Sequence, residues 1–366
     1  MTRISMPTPS LNVAVSAKAF TSNLGGNTSY ARSIYGQLEH LGVKPHLLTP
    51  PQPQWTGIRR KVLYTAAESF MWPRRSSCHD MDVLHYPTDT GALVPSVAPI
   101  VATVHGVEDA PVPGLKRSLW KKFWLARVRR LLKVADTVIT VSRHSAMEIE
   151  AAFGYPSSRI HVIPHGVAHD RFHPDSSRDA SVIGHLGLPE RFVFYLGNLD
   201  PRKNAHLLAQ AINDPLLASF DVQLVVAGGS FLGSEALERS LHADPRVKHL
   251  GQVPDEWVAP LMRAADAYVL PSAHEGFGMP VLEAMACGTP AIVSDRAALP
   301  EVAGDAGRVV SELTGCGIAK ALHSVLADED YAAEIAERGI ERASRFTWEE
   351  SAARHYEIFE SVSQRR

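Results

Sequence analysis

Two periodicities alternate along the chain. Short apolar runs, LNVAVS (11–16), VLHYP (83–87), PIVATVHG (99–106) and DTVITVS (136–142), are rich in Val and Ile and bounded by Gly, Pro or Ser, as strands buried on both faces are. Between them lie amphipathic stretches. From Asn27 to Leu41, for example, Tyr30, Ile34, Leu38 and Leu41 recur at helical spacing, and Gly42 supplies a stop. The second half repeats the scheme with RFVFYLGN, DVQLVVAGG, RVKHLGQV, DAYVLPS and TPAIVSD as strands. Continuous apolar strands separated by helices predict parallel sheets covered on both faces, hence an α/β chain of two Rossmann-like domains. The polar stretch His173–Ser181 is the expected join, giving domains 1–181 and 182–346. A last helix, 347–366, opens with the capping box Thr347-Trp348-Glu349-Glu350. Its stripe Trp348, Ala352, Tyr356 and Phe359 needs a surface to dock on, either its own domain or, as expected here, the first domain by crossing back.

Composition narrows the class. With 366 residues, 45% hydrophobic and 21% charged, the chain is of ordinary globular make-up, neither disordered nor collagen-like. No stretch approaches the ~20 apolar residues of a bilayer span, and the N-terminus has no long apolar core of a signal peptide. Cys78, Cys287 and Cys316 have no metal-binding spacing and leave an odd count, which fits a reducing, cytoplasmic compartment. The near-neutral total hides an asymmetry. Residues 1–185 carry 21 Lys and Arg against 13 Asp and Glu, and the remainder 16 against 26. The basic half suits an anionic surface.

The chemistry concentrates in PSAHEGFGMPVLEAMACGTP (271–290). A strand leads through a Gly-rich turn into a short helix with Pro280 in its first turn and Gly288 as its stop. Glu275 precedes the helix and Glu283 lies about one turn inside it, both near the positive end of its dipole. Gly276 and Gly278 let backbone N–H groups approach a ligand. Carboxylates that accept from hydroxyls, beside amides that donate to phosphate, make a receptor for a nucleotide sugar; the alternative is a capped helix with solvated glutamates. In FYLGNLDPRKNAHLLAQAI (194–212), a strand ends at Gly197 and a loop brings Arg202 and Lys203 to a helix start, a diphosphate site or else a solvated basic pair. Gly25-Gly26 open the first long helix without forming a dinucleotide fingerprint. His105 follows a buried strand at its C-terminal end, where α/β sheets place ligands. No DxD motif with companion ligands is present, and DED (328–330) reads as solvated surface.

Taken together, these residues resemble the family-4 retaining glycosyltransferases of the GT-B architecture, over nearly the whole chain. The most specific match is Glu-x7-Glu, here Glu275 and Glu283, within HEGFGMPVLEAMACGTPAIVSD. Gly25-Gly26, His105, TVSRHS (140–145), VIPHGVAHDRFHP (162–174), GNLDPRKN (197–204) and LVVAGG (224–229) support it. The resemblance implies two Rossmann-like domains whose sheets face a central cleft. It implies that Glu275 contacts the transferred sugar, with Gly276, Phe277, Gly278 and Met279 lining that pocket. Glu283 accepts from the ribose, Arg202 and Lys203 hold the diphosphate beside Gly197, Gly26 approaches the donor, and His105 lies by the sugar. Gln252 and Val253 flank the base. His165 stands where the family often has Asn. Retention without an evident nucleophile implies a front-face route with no metal and no cofactor beyond the nucleotide sugar. The closest look is to bacterial mannosyltransferases of surface-polysaccharide assembly, implying GDP-mannose as donor and a glycan or lipid-linked acceptor. The alternatives are UDP-glucose or UDP-N-acetylglucosamine as donor, a nucleotide-sugar epimerase or hydrolase, and a non-catalytic sugar-nucleotide-binding protein.

Gly114–Lys133 holds eight basic residues and no acid, with Leu115, Trp120, Phe123, Trp124 and Leu131 interleaved. That composition predicts an amphipathic helix on the inner face of a membrane, the alternative being a helix that packs its aromatics into the first domain. Nucleic acid is not an expected partner, since no reader motif accompanies the cations.

Overall fold

The computed structural model describes residues 10–21, 25–49, 57–75, 80–107, 119–177, 179–231 and 233–365. Cys78 and the stretch 108–118, with Leu115, lie outside them. The chain divides into two compact units, one of residues 1–166 and 348–366 and the other of residues 167–347.

In the first unit the strands are β1 (Leu11–Ser16), β2 (Val43–Leu48), β3 (Val83–Tyr86), β4 (Ile100–Val104), β5 (Thr137–Thr140) and β6 (Ile160–Val162). They form one parallel sheet in the order β2-β1-β3-β4-β5-β6. The second unit holds β7 (Phe192–Leu196), β8 (Gln223–Ala227), β9 (Val247–Gly251), β10 (Ala267–Leu270), β11 (Ala291–Ser294) and β12 (Arg308–Val310), again all parallel, in the order β12-β11-β10-β7-β8-β9. The inner strands β3, β4, β5, β10 and β11 are buried at every residue, which is why they read as unbroken apolar runs.

Strand order reverses between β1 and β3 in one sheet and between β7 and β10 in the other. At such a switch point the loops leaving the two strands part to opposite faces, opening a crevice at the carboxyl ends. The loops so placed in the second unit are those after β7 and β10, which carry Arg202, Lys203, Glu275 and the Gly276–Gly278 turn.

Two expectations need correcting. The division falls at Gly166/Val167, ahead of His173–Ser181. The polar stretch is already built into the second unit: Arg263 donates to both carboxylate oxygens of Asp179 (2.8 and 2.6 Å) and to the His173 carbonyl (3.0 Å), and Phe172 is buried. The last helix, Trp348–Ser363, packs against the Gly26–His40 helix of the first unit. Its inward stripe is Trp348, Ala352, His355, Phe359 and Val362, so His355 occupies the place the pattern gave to Tyr356.

Candidate active site

In the second unit the backbone holds the loops after β7 and β8 together. Gly197 N donates to Ala227 O at 2.9 Å and Leu199 N to Gly229 O at 3.2 Å. A Cβ on Gly228 would lie 1.9 Å from the Gly197 carbonyl oxygen, so that position admits glycine alone. Asp200, 3% exposed, caps the turn Pro201–Lys203 by accepting from Arg202 N at 3.0 Å. It also takes the Arg202 guanidinium, Nε to Oδ1 at 3.1 Å and Nη2 to Oδ2 at 2.6 Å. Burial opposes the Asp200 charge, but the hydrogen bonds from Arg202 outweigh it and hold this carboxyl below the usual range. Arg202 is thus a cation on a fixed mount.

Lys203 turns the other way. Its Nζ donates to Glu275 Oε1 at 2.9 Å, and the same oxygen accepts from Ser272 Oγ at 2.8 Å. Two further bonds tie the loops after β7 and β10: Ala273 N to Arg202 O (2.7 Å) and Asn204 Nδ2 to Pro271 O (3.0 Å). The structure therefore brings Arg202, Lys203 and Glu275, far apart in sequence, to one strand edge. Gly278 caps the helix Met279–Ala286 with φ 99°, and a Cβ there would meet Leu299 at 2.7 Å. Phe277 is buried and edge-on to Phe346 (6.1 Å). Its ring packs in the core, which leaves its backbone to the loop.

Glu283 lies half-buried in that helix. Burial pushes its carboxyl up to about 7; Arg171 pulls it down and Asp255 pushes it further up. At the end of β9, Gly251 has φ 68° and its carbonyl accepts from Gly228 N at 2.7 Å. Gln252 follows, exposed, and then Val253, half-buried.

In the first unit Gly25, with φ 102°, caps the Gly26–His40 helix. A Cβ there would meet nothing within 4 Å, so the backbone angle, not crowding, demands glycine. His105 leaves β4 with its backbone N donating to Asp89 Oδ1 (2.8 Å) and its Nε2 donating to the Pro87 carbonyl (3.1 Å). Burial lowers the imidazole pKa against the pull of Asp89, so the ring is neutral with its lone pair on Nδ1.

The His105 ring rests edge-on against Tyr30 (4.8 Å) and near His165 (5.4 Å). His165 is itself buried and packs on Tyr30 and Trp348, a structural role for the residue that departs from the family pattern. Beneath Tyr30 runs a buried chain of hydrogen bonds whose direction follows from one carbonyl. His355 Nδ1 lies 2.7 Å from Ser351 O, which can only accept, so Nδ1 carries the proton. Burial lowers His355 to about 4, leaving Nε2 as an acceptor at neutral pH. Tyr30 donates to it at 2.7 Å and must then accept from Thr103 Oγ1 at 3.1 Å. Thr103 in turn accepts from His85 Nε2 at 2.9 Å, and His85 Nδ1 accepts from Tyr35 at 2.8 Å. Each proton is ordered, and none of the five groups is charged.

Sequence reasoning missed Asp89, Asp200, Ser272 and this chain. Asp200 had a visible signal, an Asp-Pro helix-start pair followed by Arg. His85 and His355 had none, because a buried histidine interrupts an apolar stripe without announcing its partners.

The basic segment is only partly as expected. Its described part forms the helix Leu119–Val134. Val128, Leu131 and Leu132 are buried in the core of the first unit, with Trp124 and Leu125 packed against them. The outward face is Lys122, Phe123, Ala126, Arg129, Arg130 and Lys133, so Phe123, 51% exposed, is its aromatic group among the described side chains. Among the described side chains, Trp124 and Leu131 pack toward the sheet and do not share the outward face with Phe123.

Comparison with known proteins identifies the family. A family model described as Glycosyl transferases group 1 matches residues 190–328, and one described as Glycosyltransferase Family 4 matches residues 24–171. O-antigen chain mannosyltransferase B of Escherichia coli is 29% identical over 80% of this chain and 78% of its own length. Phosphatidyl-myo-inositol mannosyltransferase of Mycolicibacterium smegmatis is 32% identical over 78% of this chain and 72% of its own. Sucrose-phosphate synthase of Thermosynechococcus elongatus shares the fold, with a TM-score of 0.79 at 21% identity over 97% of this chain and 100% of that one. The protein belongs to glycosyltransferase family 4 and is a glycosyltransferase with the GT-B fold.

Proposed function

We propose that this enzyme moves mannose from GDP-mannose to a glycan or lipid-linked acceptor, with retention at the anomeric carbon. The observation that carries the site assignment is the Lys203–Glu275 contact at 2.9 Å, an ammonium and a carboxylate at the point where the strand order reverses. Mannose as the sugar rests on the two mannosyltransferases to which the chain is similar.

Bond breaking at the anomeric carbon leaves charge on the diphosphate, and cations placed beforehand stabilise that charge more than the ground state. Arg202 and Lys203 supply them. Glu275 accepts from the sugar hydroxyls, with Gly276, Gly278 and Met279 beside it. Glu283 accepts from the ribose, while Gln252 and Val253 flank the base. His105, with its Nδ1 lone pair, accepts from a sugar hydroxyl and does not protonate the leaving group. In the front-face route the departing phosphate takes the acceptor proton. Two cations at the diphosphate make a divalent metal dispensable, so EDTA leaves turnover intact.

A donor panel read by nucleotide release is the test. GDP-mannose should turn over in the presence of acceptor extract at least tenfold faster than UDP-glucose or UDP-N-acetylglucosamine. Preference for a uridine donor overturns the mannose assignment, and release without acceptor supports a hydrolase. We assign the outward face of the Leu119–Val134 helix to an anionic membrane on the complementarity of Lys122, Arg129, Arg130 and Lys133 with such a surface. No helix of the described residues is long and apolar enough to cross one. Flotation that is equal with neutral and anionic vesicles overturns that assignment.

A further inference from the structure

At the N-terminal ends of β5 and β6, the sheet edge opposite His105, lies a cavity of about 410 Å3. Its lining comes from three places: Arg129, Leu132 and Lys133 near the end of one helix, Phe153–Pro156 at the end of the Arg143–Phe153 helix, and Arg159 at the start of β6. Among the described residues, no carboxylate lines it. Its volume is that of a small-molecule site.

Two features set it apart from a chance cluster of surface cations. Arg159 is fixed, with Nε on the Asp136 carbonyl (3.0 Å), Nη2 shared between the carbonyls of Ala135 and Asp136, and its guanidinium over the Tyr155 ring at 5.3 Å. Arg129 likewise lies over the Phe153 ring at 5.7 Å. Aromatic faces thus hold both guanidinium groups, and the nearby Asp136 is committed elsewhere, Oδ2 accepting from Ile100 N at 2.8 Å. An anion carrying more than one negative charge would match the three cations.

We infer that this cavity binds a phosphomonoester, with Arg129, Lys133 and Arg159 balancing its charge. The site lies at the wrong edge of the sheet to take part in sugar transfer and is independent of the donor reading. The phosphomonoester comes either from a soluble metabolite or from the headgroup of a lipid.

Calorimetry of the full chain with glycerol 3-phosphate tests the first source. Flotation with phosphatidylcholine vesicles containing either phosphatidic acid or phosphatidylglycerol tests the second. Saturable binding to one probe is expected, retained in Lys203→Ala and weakened at least tenfold in Arg129→Ala/Lys133→Ala. Among vesicles, preference for phosphatidic acid over phosphatidylglycerol at equal charge marks the cavity, whereas equal uptake marks only the general membrane face. The inference falls if neither probe binds saturably, or if binding ignores the paired variant.

Discussion

The two units hold their functional side chains by opposite means. Under His105 lies an uncharged lattice in which Tyr30, Tyr35, His85, Thr103 and His355 pass hydrogen bonds in one direction. Around Glu275 the grip is ionic: Lys203 on Glu275, Arg202 on Asp200. The neutral lattice gives position without charge, as suits the hydrogen-bond acceptor role proposed for His105. The ionic pairs keep in place the cations proposed to meet the departing diphosphate, since a charge already organised costs nothing to reorient during reaction.

The sharpest way to break the comparison is to remove a charge from the second unit. Lys203→Ala should lower kcat by ~10²-fold or more, with little change in Tm; near-normal turnover takes Lys203 out of the diphosphate role. Glu275→Ala should reduce kcat/KM by ~10-fold or more through the lost hydroxyl contact, and a loss of less than about 3-fold ends its assignment to the sugar.

Acid should separate the units. His355 titrates at about 4 in the fold against an ordinary 6.5, and burial lowers His85 and His165 too. A histidine depressed in the native state contributes stability above its unfolded pKa that is lost as pH falls, for His355 alone about 3 kcal/mol between roughly pH 6.5 and 4. Glu283, raised by burial from 4.5 to about 7, has the reverse sign: the native state holds its proton more tightly, so its contribution is present in acid and disappears as pH rises from 4.5 through 7. Hydrogen exchange from pH 7 to 5 should show the first unit opening before the second, and simultaneous opening contradicts the contrast.

A neutral substitution tests the lattice itself. Tyr30→Phe leaves His355 Nε2 without a donor and the Thr103 hydroxyl without an acceptor, at a cost of ~1–3 kcal/mol by urea denaturation. The smallest effect concerns the donor. If Glu283 must be ionised to accept from ribose, donor Kd should rise up to ~tenfold for each pH unit below about 7. Glu283→Gln should bind weakly at every pH without that slope.

How much of this was legible in the sequence depended on burial. Central strands such as VLHY and IVATV were readable because both faces are apolar. The strands β2, β6 and β12 were not: VKPHLL is interrupted by Lys, Pro and His, and IHV and RVV are only three residues long. Glu275, Glu283 and Lys203 stood out because the loop chemistry that places them is local. Asp200 and Asp89 act on neighbours through folded geometry, and Tyr30 read as one more core residue of a helical stripe. The basic helix misled for a related reason: composition counts its aromatics without saying which of them the sheet has claimed.

Gly228 sets a boundary on what change can reach. With another loop's carbonyl where its first side-chain atom would sit, this position cannot drift toward a new donor preference by gradual substitution. Altered selectivity has to be sought at side chains with room around them, such as the exposed Gln252, and a library that randomises Gly228 will return glycine or unfolded protein.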